Sequence, residues 1–335
     1  MVKKLQQATE QMTGAADPEE TTFFTEVSVG RTVLNFVAIL PSLCQKMAEE
    51  INLQVYMEGL SRVDRVVDDS GYAFTALDVI EKGLVSLEPI KSYSHLLYVN
   101  VSKNQIADAS PLSELQYLVC VDLSDNVLTA PPVLTQPYLQ SLDLSGNKIT
   151  STALQGFESG SISVLKLNGN ELNGLPGLQS LPSVTVLEAV GNAIEDLSSL
   201  ASDSAPKLEV LLLVSGFPIH NYMDIEHTES LDENKITTLS GIESLPTLTS
   251  LSLQQNNIET LEAVHQLDQL PKLSSLNLIG NAVTQVEDYR SSIILLVPTL
   301  THLDGDQLSD EDRLAAVELK HQREAEAAEE AEANE

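Results

Sequence analysis

Six histidines, two cysteines and 49 carboxylates are the side chains with which this 335-residue chain could bind metal, attack a substrate or relay protons. Their spacing organises none of that chemistry. His95, His220, His227, His265, His302 and His321 show no ligand spacing with one another, with cysteine or with carboxylates. Cys120 falls at an outward position of a predicted strand, but it lacks the histidine partner that would activate a thiol. No Gly-rich phosphate loop, Gly-x-Ser-x-Gly elbow or paired-carboxylate constellation is present. The expectation is a protein that is not an enzyme, with no cofactor, no metal and no small-molecule substrate.

A different polar side chain recurs with strict spacing. Asn104, Asn126, Asn147, Asn170 and Asn192 follow one another at 22, 21, 23 and 22 residues. Asn234, Asn256 and Asn281 continue the series after steps of 42, 22 and 25. Each closes a segment of the form Leu-x-x-Leu-x-Leu-x-x-Asn-x-Leu, as in LVCVDLSDNVL, LQSLDLSGNKI and LSSLNLIGNAV. An amide both donates and accepts, so an asparagine there can satisfy backbone groups where the chain turns off a strand. This ladder of eight asparagines is therefore structural.

The elements that position it follow from the same register. Aliphatics at the first, fourth, sixth and eleventh positions turn inward, and the residues between them face out of a short parallel strand. After each Asn, apolar residues recur every three, as at Ile236, Leu239, Ile242, Leu245 and Leu248, which suits 3₁₀ or irregular turns. The fold class is thus an α/β leucine-rich-repeat solenoid of the 22-residue subclass, with a parallel concave sheet and short convex turns. A composition with no Trp, 4% aromatic and a large leucine excess agrees with one structural unit used repeatedly.

The step of 42 has a simple resolution. KLEVLLL ends at Leu213 and DENKI begins at Asp232, and joining them gives a regular repeat with Asn234 in its slot. Residues 214–231 are then an 18-residue insertion beside a strand. Two origins fit: a surface loop, tolerable in loop-closure entropy, or intron sequence retained in a gene model, since Val-Ser is what a common splice donor encodes. A mass-spectrometric peptide joining Leu213 directly to Asp232 is expected if the second holds.

The domain organisation reads as a flexible arm over 1–30, a helical N-terminal cap over 31–72, repeats over 73–284, a leucine-rich-repeat cap over 285–305 and an acidic helical tail over 306–335. A degenerate first repeat uses Phe74, Leu77, Val79 and Leu84, with Lys82 in the Asn slot. In the C-terminal cap Ile294, Leu296, Leu300 and Leu303 plug the last repeat, and Ser309 N-caps the tail helix ahead of Asp310, Glu311 and Asp312.

The third, fifth, seventh and eighth positions should point into the groove. Val164, Val186, Val190, Val210 and Leu212 then form one apolar patch on adjacent repeats, rimmed by Asp122, Asp143, Glu188 and Lys166. Valine is also simply a good strand former. Both flanks of the groove use Ser, Asn and Gln instead, which favours a protein-binding site.

The formal charge of −31 argues against nucleic acid and against an anionic membrane surface as partners. Two cysteines, Cys44 and Cys120, supply no disulfide framework, which points to a reducing compartment. VLNFVAIL at 33–40 is too short for a membrane span, and the N-terminus has no apolar signal region, so an intracellular protein is expected.

Several segments go beyond the general repeat. EGLSRVDRVV (58–67), SYSHLLYVNVSKNQIADASPLSEL (92–115) and YRSSIILLVPTLTHLDGDQLSDEDRLAAVELKHQRE (289–324) resemble the ciliary radial-spoke leucine-rich-repeat proteins. The resemblance runs from about residue 55 to 324; the insertion and the N-terminal arm depart from the pattern. It implies a non-enzymatic subunit of the axonemal radial spoke, located in the cilium or flagellum, with other spoke subunits as partners and no catalytic residues. The repeat subclass and cap are also similar to those of phosphatase regulators, whose grooves are rich in aromatic and acidic anchors, whereas Tyr98 is the aromatic expected in this groove. An acidic nuclear or histone-binding protein would need a longer acidic tail than the six Glu in twelve residues after Arg323.

Overall fold

Leucine at the fourth repeat position and an aliphatic at the sixth leave only three residues to cross the concave side, and that sets the length of each strand. A computed structural model describes residues 53–66, 71–195, 197–200, 207–213 and 234–333. The arm over 1–30, residues 31–52 of the N-terminal cap and the insertion 214–231 lie outside the described residues.

Among the described residues, twelve strands form one sheet in sequence order. β1 (Leu60–Arg65) and β2 (Tyr72–Asp78) form an antiparallel hairpin. The parallel run follows: β3 (Tyr98–Asn100), β4 (Cys120–Asp122), β5 (Ser141–Asp143), β6 (Val164–Lys166), β7 (Val186–Glu188), β8 (Val210–Leu212), β9 (Ser250–Ser252) and β10 (Ser275–Asn277). β2 pairs β3 in parallel, and β10 pairs β11 (His302–Leu303), which turns back antiparallel onto β12 (Asp306–Gln307). In each strand from β3 to β10 the central aliphatic is buried and its two neighbours are half-buried. Full burial of such a side chain contributes roughly 1.5–3 kcal/mol.

The convex side is built from 3₁₀ segments at Glu88–Ser92, Ser110–Glu114, Leu178–Ser180, Ser198–Leu200, Ile242–Ser244, Glu262–Gln269 and Ala282–Gln285, with one α-helical turn at Ser151–Leu154. The three-residue apolar period selects this geometry, because side chains three apart eclipse in a 3₁₀ helix. Successive repeats nest closely here. Gly241 adopts φ 104°, and a Cβ there would stand 2.1 Å from the Leu197 carbonyl oxygen of the preceding repeat.

Two of the sequence expectations are corrected. The N-terminal cap is not helical throughout: residues 53–59 are helical, and the chain then enters β1 at Leu60. Tyr56 is buried and donates from its hydroxyl to the Ser86 carbonyl at 3.0 Å, anchoring the helix to the solenoid. Phe74 does not open a repeat core, since it lies on β2 and is 44% exposed; Leu77, Val79 and Leu84 are buried as expected.

At the other end Ile293, Ile294, Leu300 and Leu303 are buried, while Leu296 is half-buried at the helix Tyr289–Leu296. Asp304, opposite Asn277, uses its side chain where the repeats use the next strand's backbone carbonyl, as the Asn277 carbonyl does for the Leu253 N–H. Asp304 Oδ1 accepts from the Leu278 N–H at 2.7 Å, and its Oδ2 accepts from the Tyr289 hydroxyl at 2.9 Å.

The tail helix spans Asp310–Ala333 and is docked over its first turns. Ser309 and Asp312 cap reciprocally, with Ser309 N–H to Asp312 Oδ2 at 2.8 Å and Asp312 N–H to Ser309 Oγ at 3.2 Å. Arg313 donates to the Pro298 and Leu300 carbonyls, Arg323 pairs with Asp288, and Ala316 is buried. The helix therefore begins as part of the cap rather than as a fully solvated element. Side chains from 326 onward lie outside the described residues.

Candidate protein-binding groove

The asparagine ladder fixes the shape of the groove. Asn192 Nδ2 donates to the carbonyls of Leu167, Ala189 and Val190 at 3.0, 3.0 and 3.3 Å, and its Oδ1 accepts from the Leu172 N–H at 3.2 Å. One side chain thus ties its own turn to two points of the preceding repeat. Asn104, Asn126, Asn147, Asn170, Asn256 and Asn281 repeat this arrangement, and all eight asparagines are at most 8% exposed.

The ladder crosses the insertion. Ile194 N–H donates to Asn234 Oδ1 at 3.0 Å, and Asn256 Nδ2 donates to the Leu213 carbonyl at 2.8 Å. Leu213 and Asn234 therefore belong to one repeat.

On the concave side the strand register aligns the third positions as Ala76, Tyr98, Cys120, Ser141, Val164, Val186, Val210, Ser250 and Ser275. Val164, Val186 and Val210 are consecutive and half-buried, and Leu212 lies two residues beyond Val210 on the same face. Val190 does not join them. It is 1% exposed and its N–H donates to Asn168 Oδ1 at 2.9 Å; Ser102 and Asn168 at the same repeat position are also buried, whereas Ile279 there is 48% exposed.

The charged rim is more engaged than its sequence positions suggest. Lys166 Nζ and Glu188 Oε1 form an ion pair at 3.3 Å, and Glu188 Oε2 also accepts from Asn168 Nδ2 at 3.0 Å. Asp122 Oδ1 accepts from both the N–H and the hydroxyl of Ser124, and Asp143 Oδ1 accepts from the Ser145 N–H. Fifth-position acids thus hold the turn that ends their own strand.

Asp143 and Asp122 are neighbours in register. Burial, with Asp122 pushing the same way, raises the Asp143 carboxyl above the usual carboxylate range against the lowering effect of its Ser145 bonds. A raised carboxyl binds its proton more tightly in the folded state, so its contribution to stability is lost as pH rises through the folded pKa. Asp143→Asn keeps the oxygen that accepts from Ser145. It should raise the unfolding temperature at pH 7 by roughly 1–2 °C, a gain that disappears in acid, as thermal melts at the two pH values will read.

The sequence reading missed the hairpin's contribution to this face. Tyr72 and Phe74 share the face of Ala76, and Val63 lies opposite Phe74 in the β1–β2 register. These three are exposed, so Tyr98 is joined by two further aromatics. Arg62, at φ 55°, lies 4.7 Å from the Tyr98 ring centroid. Cys120 is half-buried, and burial pushes its thiol up, away from the reactive thiolate. Among the described residues no group of three His, Cys, Asp or Glu side chains is placed to hold a metal ion, and no helix is long and apolar enough to cross a membrane.

Comparison with known proteins places the repeat in a family context. Family models described as leucine-rich repeat match residues 215–332 and 135–157. Leucine-rich repeat-containing protein 23 of Bos taurus is 31% identical over 270 residues, covering 78% of this chain and 78% of the relative. The protein of that name in Xenopus tropicalis is 33% identical over 290 residues, covering 82% and 80%. Among solved structures, internalin C2 of Listeria monocytogenes aligns with a TM-score of 0.44 at 23% identity, over 69% of this chain and 80% of that one.

Proposed function

The chain belongs to the leucine-rich repeat-containing protein 23 family, and on that premise we propose that it is a non-enzymatic structural adaptor of the axonemal radial spoke, docking partner proteins in its concave groove and contributing to ciliary motility. The observation that carries the docking part is the half-buried row Val164, Val186 and Val210, aligned in register across three strands with a neutralised Lys166–Glu188 pair beside it. An apolar strip of this kind on an otherwise acidic surface is what a protein partner desolvates at low cost. The ciliary part rests on the resemblance of segments 58–67, 92–115 and 289–324 to radial-spoke proteins.

A phosphatase-regulatory scaffold is the second reading. It gains from Tyr72 and Phe74, which bring aromatics to a face that also carries Asp78, Asp122 and Asp143. Fractionation separates the two. The spoke reading expects detergent-resistant association with axonemes that is released by salt. Recovery in the detergent-soluble fraction, together with a phosphatase catalytic subunit, would overturn it.

A further inference from the structure

The groove has the dimensions of one helix. Each concave strand from β3 to β10 is three residues long, which at 3.3 Å per residue makes a strip about 10 Å wide. That is close to the diameter of a single α-helix with its side chains. The strip offers side chains only, because the backbone N–H and C=O groups of these strands are engaged with the neighbouring strands. An extended segment buried across them would find no backbone partners, whereas a helix satisfies its own.

Charge varies along the strip. Asp78, Asp122 and Asp143 occupy the fifth position on β2, β4 and β5, and Asp125 follows β4, with Lys103 beside it offsetting one charge. Next come the valines of β6, β7 and β8 and Leu212, and beyond them Ser250, Ser252, Ser275 and Asn277 are uncharged. The groove is acidic at one end, apolar in its centre and neutral at the other.

Building on the concave-face reading above, we infer that the occupant of the groove is a single amphipathic helix lying across the strands, with Lys or Arg in the turn over β4 and β5 and an aliphatic stripe over β6 to β8. The strand spacing supplies the ruler. Ser141 on β5 and Ser250 on β9 are four strands apart in register, a distance of about 19 Å. A helix covers that distance in about 13 residues and an extended chain in about 6.

The test places a photo-crosslinking residue at Ser141 or at Ser250 in the full-length chain, rebinds each variant to salt-extracted axonemes and sequences the captured peptides. Both positions are expected to capture one continuous segment at sites about 13 residues apart, with basic residues at the Ser141 site. Asp122→Asn with Asp143→Asn should weaken rebinding about tenfold and flatten its salt dependence. Captured sites about six residues apart, sites in two different chains, or acidic residues at Ser141 would overturn the helix while leaving concave docking intact. Rebinding with no capture at either position would overturn the concave-face reading itself.

Discussion

Replacing Asn192 with alanine is expected to cost about 3 kcal/mol, the upper end for loss of a buried hydrogen-bonding group. The side chain is 1% exposed, and truncation would leave the buried Leu172 N–H without its acceptor, while the carbonyls of Leu167, Ala189 and Val190 would each lose one donor and keep Asn170, Asn234 and the Gly169 N–H respectively. Asn192→Asp separates this from a simple packing loss. It preserves volume and the acceptor for Leu172, but it sets a carboxylate oxygen against three carbonyls, so it should be worse than alanine. Because solenoid stability is carried by nearest-neighbour interfaces, the damage should be local. Hydrogen exchange is the informative measurement, with protection lost first in the repeats flanking residue 192. An aspartate variant as protected as the native chain would refute the ladder's role.

The second large effect concerns binding. Val186→Glu puts a carboxylate at the centre of the valine row, between Val164 and Val210. The position is half-buried, and its neighbour Leu187 carries the core contact, so the fold should survive and the thermal melt should stay close to native. A partner seated on the row would have to bury an unpaired charge, at a cost of about 3 kcal/mol or roughly a hundredfold in affinity. Co-purification from solubilised axonemes should fall accordingly. Val186→Thr, which keeps the shape and adds only a hydroxyl, should retain the partner. Undiminished recovery with glutamate would remove the groove centre from the interface.

The repeat was legible because its two determinants are both sequence-local. An aliphatic period and a slot that only asparagine fills can be read without knowing what packs against what. The junction at Leu213 and Asn234 was legible for the same reason. What escaped depends on neighbours in space. The stretch 53–67 has helix-compatible apolar spacing throughout, yet the chain leaves the helix at Leu60, and Arg62 takes a left-handed conformation within β1. Pairing with β2, itself aligned on β3, overrides the local preference. Val190 stands at a groove position by count, but that position ranges from buried at Val190 to 48% exposed at Ile279, and the count alone does not distinguish the two. Lys166 and Glu188 look like two rim charges in the sequence, and only the parallel register reveals them as a pair. Asp304 puts a side-chain oxygen where the other repeats use a strand carbonyl, and no periodic signal leads to it.

The crossing of the ladder at Leu213 and Asn234 has an engineering consequence. Among the described residues, the bonds that align the repeats there run from Ile194 to Asn234 and from Leu213 to Asn256. Register is thereby decoupled from how much chain intervenes. Lengthening or shortening this stretch should therefore leave the two arms of the solenoid in step. The same junction, between Leu213 and Asn234, is the natural port for a fluorescent or affinity tag away from either terminus.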